Sequence, residues 1–465
     1  MLDLLEEYAM MDLWSSSTML TTIVAVLSIC TQSASAGEVA EGLTLFNTLQ
    51  GPPSYRTVLI DNAGTVVHEW VCESSVASTP YLLQGGELIR PSRVSGKVYL
   101  DGAAWGGLIQ RIALDGTVLW EFTFSDENNQ QHHDICPMPN GNILLVAWER
   151  KTEAEAVALG RQNQQGDIWP TQIVEVQPLA DGGGEIVWEW HIWDHLIQDV
   201  DPSLPNYGVV SEHPGKFDIN KGSLNQNTGD WIHVNALDYH PELDQIVFSS
   251  NSLDEIYIID HNTTTEEAAG PAGDFLYRWG NPANYNRPGD QVLWNVHGVN
   301  WIDPGLPGEE DLLLFNNGTD DNSSDLIQFT PPLLADGTYV IDDVDPFAPV
   351  PGDYTFFYES PDFFGSHLSG VYRLPNGNTL ATNGPGQEIR EVNAAGEVVW
   401  QYFTSNRIMR ANKYPTDILD PPCDGDVNGD GGVGVDDLLV VIGGWGNPYD
   451  VDDLLLVIQS WGGCA

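Results

Sequence analysis

The chain has 465 residues, 42% of them hydrophobic, and its 67 Asp and Glu against 17 Lys and Arg give a formal net charge of -50. Such a field repels nucleic acid and anionic membrane surfaces, which excludes both as partners, while the apolar fraction is enough to bury a core and excludes a disordered chain. Sixteen Trp, 16 Tyr and 47 Gly, with few helix-forming runs, favour many short strands joined by tight turns, an all-β fold.

Residues 20–30 (LTTIVAVLSIC), followed by Ala34, Ser35 and Ala36, have the length and small-residue ending of a secretory signal peptide rather than a membrane span. Residues 1–36 are therefore expected to be removed, and the mature chain to be exported to a periplasmic, cell-surface or extracellular location. No Lys or Arg precedes Arg56, and Met19 offers a second start; lipidation at Cys30 is the alternative, although Ile29 stands where a small residue is wanted. Four cysteines then remain in an oxidising compartment. Cys423 and Cys464 bracket the C-terminal segment and are expected to pair; Cys72 with Cys136 is a plausible second disulfide, although spacing alone does not show proximity.

Along the next stretch, residues 37–419, one phrase recurs: a Gly turn or its equivalent, then a strand ending in aromatics. The copies are 64–70 (GTVVHEW), 116–122 (GTVLWEF), 185–190 (EIVWEW), 274–279 (DFLYRW), 353–358 (DYTFFY) and 396–402 (GEVVWQY). Hairpins such as 136–146 (CPMPNGNILLV) and 372–382 (YRLPNGNTLAT) lie between them, with Asn-Gly supplying the positive φ that a tight turn needs. Six units predict a six-bladed β-propeller, in which stacking the blades buries faces that no blade can bury alone. Packing between blades is the expected role of nearly all the tryptophans. Residues 406–414 (NRIMRANKY) have no following hairpin and read as the segment that closes the ring, and Pro421-Pro422 marks a linker.

Residues 420–465 form a small α-helical module of EF-hand type. Residues 426–437 (DVNGDGGVGVDD) space oxygen ligands as a twelve-residue calcium loop does, with Asp426, Asn428, Asp430 and Asp437 expected to bind by side chain and Gly432 by its carbonyl. The stretch 435–446 (VDDLLVVIGGWG) recurs as 451–462 (VDDLLLVIQSWG), two short amphipathic helices from one duplication. The pair resembles a dockerin module with one calcium loop lost, so the partner it implies is cohesin-like or a cell-surface component.

The histidines recur at the start of one hairpin strand in successive repeats: His132 and His133 (QHHDICPMPNGN), His233 (DWIHVNALDYH), His297 (WNVHGVNWIDPG) and His367 (GSHLSGVYRLPNGN). With the repeats in register they are expected to converge at the mouth of the axial channel, since each blade places its innermost strand there. His191 and His195 stand four apart but in an apparent loop insertion, residues 192–229, which is expected to form a lid or rim; no other spacing suggests zinc.

The D-W-x-H-x-N segment at 230–235, the H-G-x-N-W and L-L-L-F-N-N-G pair at 297–318, the H-H-D-I hairpin and the closing 406–414 together resemble the PAPS-independent aryl-sulfate sulfotransferases, from about residue 41 to 414. The resemblance implies transfer of a sulfuryl group from a phenolic sulfate donor to a phenolic acceptor through a sulfated histidine, with neither nucleotide nor metal in the catalytic step. It places the nucleophile at His297, the sulfuryl-binding pair at His233 and Asn235, and a further histidine at His132 or His133. A non-catalytic propeller that binds sulfated or aromatic compounds, and a sulfate-ester hydrolase, are the alternatives. Where the family pattern has an arginine this chain has Asn251, so either Arg407 or Arg410 of the closing segment compensates, or the substrate differs, or transfer is weak; Asn251, His367 and Arg407 are the expected substrate-binding residues.

Overall fold

The structure, a computed structural model, describes residues 37–49, 55–222, 229–318, 323–340, 353–421, 425–427, 433–444 and 451–462. The expected leader, residues 1–36, lies outside them.

Six four-stranded antiparallel sheets form the expected six-bladed β-propeller. From the inside outward, blade 2 is Tyr81–Leu83, Glu87–Arg93, Gly107–Ile112 and Val118–Thr123; blade 3 is Asn129–Pro137, Ile143–Glu149, Thr171–Pro178 and Gly184–His191; blade 4 is Val234–His240, Gln245–Ser250, Glu255–Asp260 and Tyr277–Trp279. Blade 5 is His297–Trp301, Leu312–Asn316, Asp325–Phe329 and Phe356–Glu359; blade 6 is Gly370–Arg373, Thr379–Asn383, Glu388–Val392 and Val398–Phe403. Blade 1 draws on both ends of the ring. Its innermost strand is Ala411–Tyr414, laid antiparallel on Leu43–Asn47 with Phe46 opposite Ala411, and Tyr55–Ile60 and Val66–Cys72 follow outward.

The recurring aromatic phrase falls on the outermost strand of each blade, and its tryptophans act as clasps. Trp70 Nε1 donates to Ala113 O (3.1 Å), Trp120 to Gly183 O (2.5 Å), Trp188 to Thr263 Oγ1 (3.2 Å) and Trp400 to Asn62 O (2.7 Å). In every case the acceptor lies at or just beyond the end of the third strand of the next blade, so a ring buried for its apolar area also satisfies its one N–H across the seam. In the Asn-Gly hairpins Gly141 and Gly377 take φ of 84° and 86°, the left-handed conformation that the turn requires.

The described part of the insertion carries a short parallel pair, Leu196–Ile197 with Phe217–Asp218. Ile192, Leu196, Phe217 and Ile219 pack into the same core as Trp231 and Ile232, so this segment buttresses the stretch that carries His233 from behind.

The expected Cys72–Cys136 disulfide is not formed. Cys72 ends the outermost strand of blade 1 and Cys136 lies in the innermost strand of blade 3, so ring geometry keeps them apart; the Cys136 thiol instead faces Asp238 Oδ1 at 3.7 Å. Cys423 and Cys464 lie outside the described residues. In the C-terminal module the two expected helices are Val435–Gly443 and Val451–Gln459, and Val433, Val441 and Val457 form their small core. Of the expected calcium ligands Asn428, Asp430 and Gly432 lie outside the described residues. Asp437 is buried and turns back on the loop, accepting from Val427 N (2.8 Å) and Gly434 N (2.7 Å). Among the described residues no helix is long and apolar enough to cross a membrane.

Candidate active site

Three innermost strands break register where their histidines stand. Residues 132–134 bulge between Gln131 and Ile135, Asn235 bulges between Val234 and Ala236, and Gly298 and Val299 bulge between His297 and Asn300. His133 and His233 themselves take positive φ, 47° and 54°, as does Asn295 at 53°. Non-glycine residues rarely hold that conformation unless surrounding bonds impose it. Here the bonds are visible. Asn251 N donates to His233 O (3.1 Å), Ser250 Oγ to Ile232 O (2.5 Å) and Ser249 Oγ to Asn235 Oδ1 (2.6 Å), so the last two residues of one strand and the residue after it clamp residues 232–235. Asp254 Oδ1 holds Asn295 N (2.6 Å), and Asn235 Nδ2 donates to Val296 O (2.7 Å).

His297, 7% exposed, is fixed in one tautomer. Its Nδ1 lies 2.7 Å from Asn317 Oδ1 and 2.8 Å from Asn295 O. The Asn317 amide nitrogen donates to Gly365 O (2.7 Å) and Leu368 O (3.0 Å), so its oxygen must be the acceptor. Nδ1 therefore carries the proton and Nε2 the lone pair. Burial, aided by His233 and Arg410 and opposed by the two Nδ1 bonds, pushes this imidazole down to about 3, which keeps it neutral.

His233 is oriented by Asp230, whose Oδ2 meets its Nδ1 at 2.5 Å while Oδ1 accepts from Trp148 Nε1 at 3.0 Å. Burial works to raise the Asp230 carboxyl, but His233 beside it holds it below the usual carboxylate range. The His133 ring stands edge-on to His233 with centroids 4.6 Å apart. His132 lies behind, stacked on Trp148 at 3.9 Å, its Nδ1 bonded to His133 Nδ1 at 2.8 Å. Strand alternation allows only one of two adjacent residues to face inward; the bulge instead buries both and puts His133 at the channel. Burial lowers both, His132 to about 3 and His133 well below its ordinary value.

The cation of the site is Arg410. Its guanidinium bonds Thr79 Oγ1 (2.9 Å) and Asp134 Oδ2, and its charge acts on His133 and His297. Burial works to lower it, but Asp134 and the neighbouring phenols of Tyr372 and Tyr81 more than offset that and hold it charged. The side chain reaches this place because Gly370 has no Cβ; one there would fall within the Arg410 side chain, whereas one on Gly298 would meet the Gly370 backbone.

His132, His133 and His233 are in contact, and His297 lies within electrostatic reach of His133 and His233; Asn235 bonds the backbone just before His297, and the Asn251 backbone bonds that of His233. His367 does not join them. It is exposed on the rim, bonded to Ser366 Oγ (2.8 Å), with Arg407, also exposed, close enough to help burial lower its imidazole. The sequence offered Arg410 as a stand-in for the missing arginine, but carried Asn317 and Asp230 only within motifs and gave them no role. Asn317 sits in the L-L-L-F-N-N-G motif and Asp230 in D-W-x-H, so the signal was present in the quoted residues. Among the described residues no group of three or more His, Cys, Asp or Glu is placed to hold a metal, and His191 and His195 are taken up separately by Glu189 (3.1 Å) and Asp274 (2.9 Å).

Comparison with known proteins identifies the family of the chain. No curated protein matches the chain. Among solved structures, a protein of unknown function from Bacteroides caccae is 13% identical, with a TM-score of 0.42 over 80% of this chain and 99% of that one. A protein from Lactobacillus plantarum is 8% identical, with a TM-score of 0.43 over 80% and 99%, and virginiamycin B lyase from Staphylococcus aureus is 12% identical, with a TM-score of 0.34 over 79% and 88%. The family model described as Arylsulfotransferase (ASST) matches residues 29–331, a span that holds the four clustered histidines, Asn235, Asn251 and Asn317. On that match the chain belongs to the arylsulfotransferase family.

Proposed function

We propose that this chain transfers a sulfuryl group from a phenolic sulfate ester to a phenolic acceptor, with Nε2 of His297 as the nucleophile. The observation that carries the reading is the neutral imidazole whose Nδ1 proton is held by Asn317 and Asn295, leaving Nε2 with the lone pair. In the first step the N–S bond forms as the S–O(aryl) bond breaks. The electron pair leaves with the phenoxide, which takes a proton from Nε2 of His233 while Asp230 holds Nδ1. In the second step the acceptor oxygen attacks sulfur, His233 takes its proton, and the N–S bond breaks to return the lone pair to His297. Arg410 supplies the fixed positive charge that the family pattern puts at position 251, and His133 adds an N–H when His132 is the donor in their shared bond. Asn235 acts by fixing the backbone that presents His297, while His367 and Arg407 meet substrate at the rim.

Purified protein given p-nitrophenyl sulfate and phenol should release nitrophenol and form phenyl sulfate, and a sulfated peptide containing His297 should be trapped when phenol is omitted. Undiminished turnover in His297→Ala would overturn the assignment. Nitrophenol release at the same rate without phenol, and no phenyl sulfate with it, would make the chain a hydrolase.

We further infer export, on the pattern of residues 20–36, and one Ca²⁺ in the loop 426–437, on its oxygen spacing. Chelation should then lower the melting temperature of the C-terminal module, and no response to chelator would remove the metal.

A further inference from the structure

Blade 2 reaches over to the histidine bulge through residues 94–106, the loop between its second and third strands. Ala104 O accepts from His133 N (2.9 Å), Gly106 N donates to Gln131 O (2.9 Å), and Trp105 pairs antiparallel with His132. Gly102 leaves room for the Trp148 ring, which a Cβ there would approach to 2.3 Å. The loop is therefore fixed against the strand that carries His132 and His133. Arg93, the last residue of the second strand, lays its guanidinium over the Trp105 ring with Cζ 4.7 Å from the centroid, and Lys97 Nζ stands 3.7 Å from the centre of the Tyr99 ring. Arg93 and Trp105 are half-buried, whereas Lys97 and Tyr99 are exposed. Among the described residues neither cation bonds a carboxylate, and Asp101, the one acid in the loop, is paired with neither. Basic side chains of the same three blades are otherwise tied up, Arg56 by Glu69, Arg111 by Glu87, Arg150 by Asp167 and Lys151 by Glu149. In a chain with a formal net charge of -50, two unpaired cations in one loop beside the histidines are the exception to the rule of the surface.

We propose that Arg93, Lys97 and Trp105 form a docking site for anionic aromatic sulfate esters beside the histidines, and that they set the specificity for the sulfate donor. Such an ester is an anion carried on an aromatic ring, and the loop offers a partner to each part. The Arg93 and Lys97 N–H groups suit the sulfate oxygens, and the Trp105 indole suits the ring. At about 0.1 M salt the field of distant carboxylates is screened beyond about 10 Å, so cations at the rim decide the last stage of the donor's approach. A neutral phenol gains nothing from them. The inference deepens the sulfuryl-transfer reading and rests on it for the identity of the ligand; Arg410 keeps its place as the charge of the reacting centre.

Transfer in two steps gives donor and acceptor separate kcat/KM values, and the test reads both in the full chain. Arg93→Gln should lower kcat/KM for p-nitrophenyl sulfate about tenfold and leave that for phenol in place, while Arg93→Lys keeps most of the donor value. The donor ratio between the unaltered protein and Arg93→Gln should shrink toward about two as salt rises to about 0.5 M. Lys97→Gln, at an exposed side chain with no hydrogen bond, repeats the measurement without touching the fold and should cost about threefold, as should Trp105→Leu. Unchanged donor kinetics in these variants, donor and acceptor values falling together, or a ratio indifferent to salt would each overturn the proposal. Should the chain lack transferase activity, the sulfuryl reading falls and calorimetric binding of p-nitrophenyl sulfate still decides this one. Binding about tenfold weaker in Arg93→Gln upholds the docking site; equal binding, or none by the unaltered protein, removes it.

Discussion

Asn317 Oδ1 and His297 Nδ1 lie 2.7 Å apart, a bond that ties the residue just past the second strand of blade 5 to the start of the innermost one and fixes which imidazole nitrogen carries the proton. Asn317→Leu removes the acceptor but leaves Asn295 O in place, so Nδ1 is less firmly held and the unproductive tautomer gains population. Turnover of p-nitrophenyl sulfate should fall by about tenfold to a hundredfold, the worth of one buried hydrogen bond and the tautomer it selects. Unchanged turnover would mean that Asn295 alone sets the tautomer.

Acid should unfold this protein through the same imidazoles. His132 and His297 are held down to about 3, burial first among the causes, whereas the unfolded chain takes up protons near 6.5. Between those values the unfolded state binds more protons, so the stability these groups confer is fully present above 6.5 and is lost as pH falls toward 3. Each contributes a slope approaching about 1.4 kcal/mol per pH unit. His132→Phe keeps the stack on Trp148 and removes one titrating ring. Its urea midpoint should therefore drop less than that of the unaltered protein between about pH 6.5 and about pH 4.5.

Gly370 has a neighbour that tolerates nothing larger. Gly370→Ala forces the Arg410 side chain aside, which should cost about 1 to 3 kcal/mol of stability. It should also lower kcat more than KM changes, because the displaced charge faces His297 rather than the rim. A variant that melts lower but turns over normally would show that Arg410 serves only the fold.

The tryptophan clasps predict equal modest penalties at separate seams. Trp70→Phe and Trp400→Phe each delete one N–H donated to the next blade, and each should lower stability by about 1 kcal/mol. Lying on opposite sides of blade 1, the two losses should add in urea titrations of the double variant.

Much of this architecture was legible because each blade repeats the same solution. The aromatic phrase marked every outermost strand and the Asn-Gly hairpins marked turns between the first and second strands, so the ring followed from local chemistry. The histidines were legible as a recurrence, and three blades bring theirs together. His367 fails because Leu368 and Ser369 both take positive φ (57° and 81°) and leave it outside on the rim. Arg410 and Asn317 gain their roles from partners 276 and 20 positions away, which no local pattern encodes. The disulfide between Cys72 and Cys136 failed for the converse reason: an even number of thiols carries no information about radial position.

Arg410 stands immediately before the strand that closes the ring on Leu43–Asn47. The charge beside His297 therefore arrives only when the two ends of the chain meet, and blades 3 to 5 alone, with every histidine in place, form an unfinished pocket. On the proposed mechanism, assembly and chemical competence are one event: an open ring, whether newly synthesised or nicked ahead of blade 1's last-made strand, should be inert toward sulfate esters.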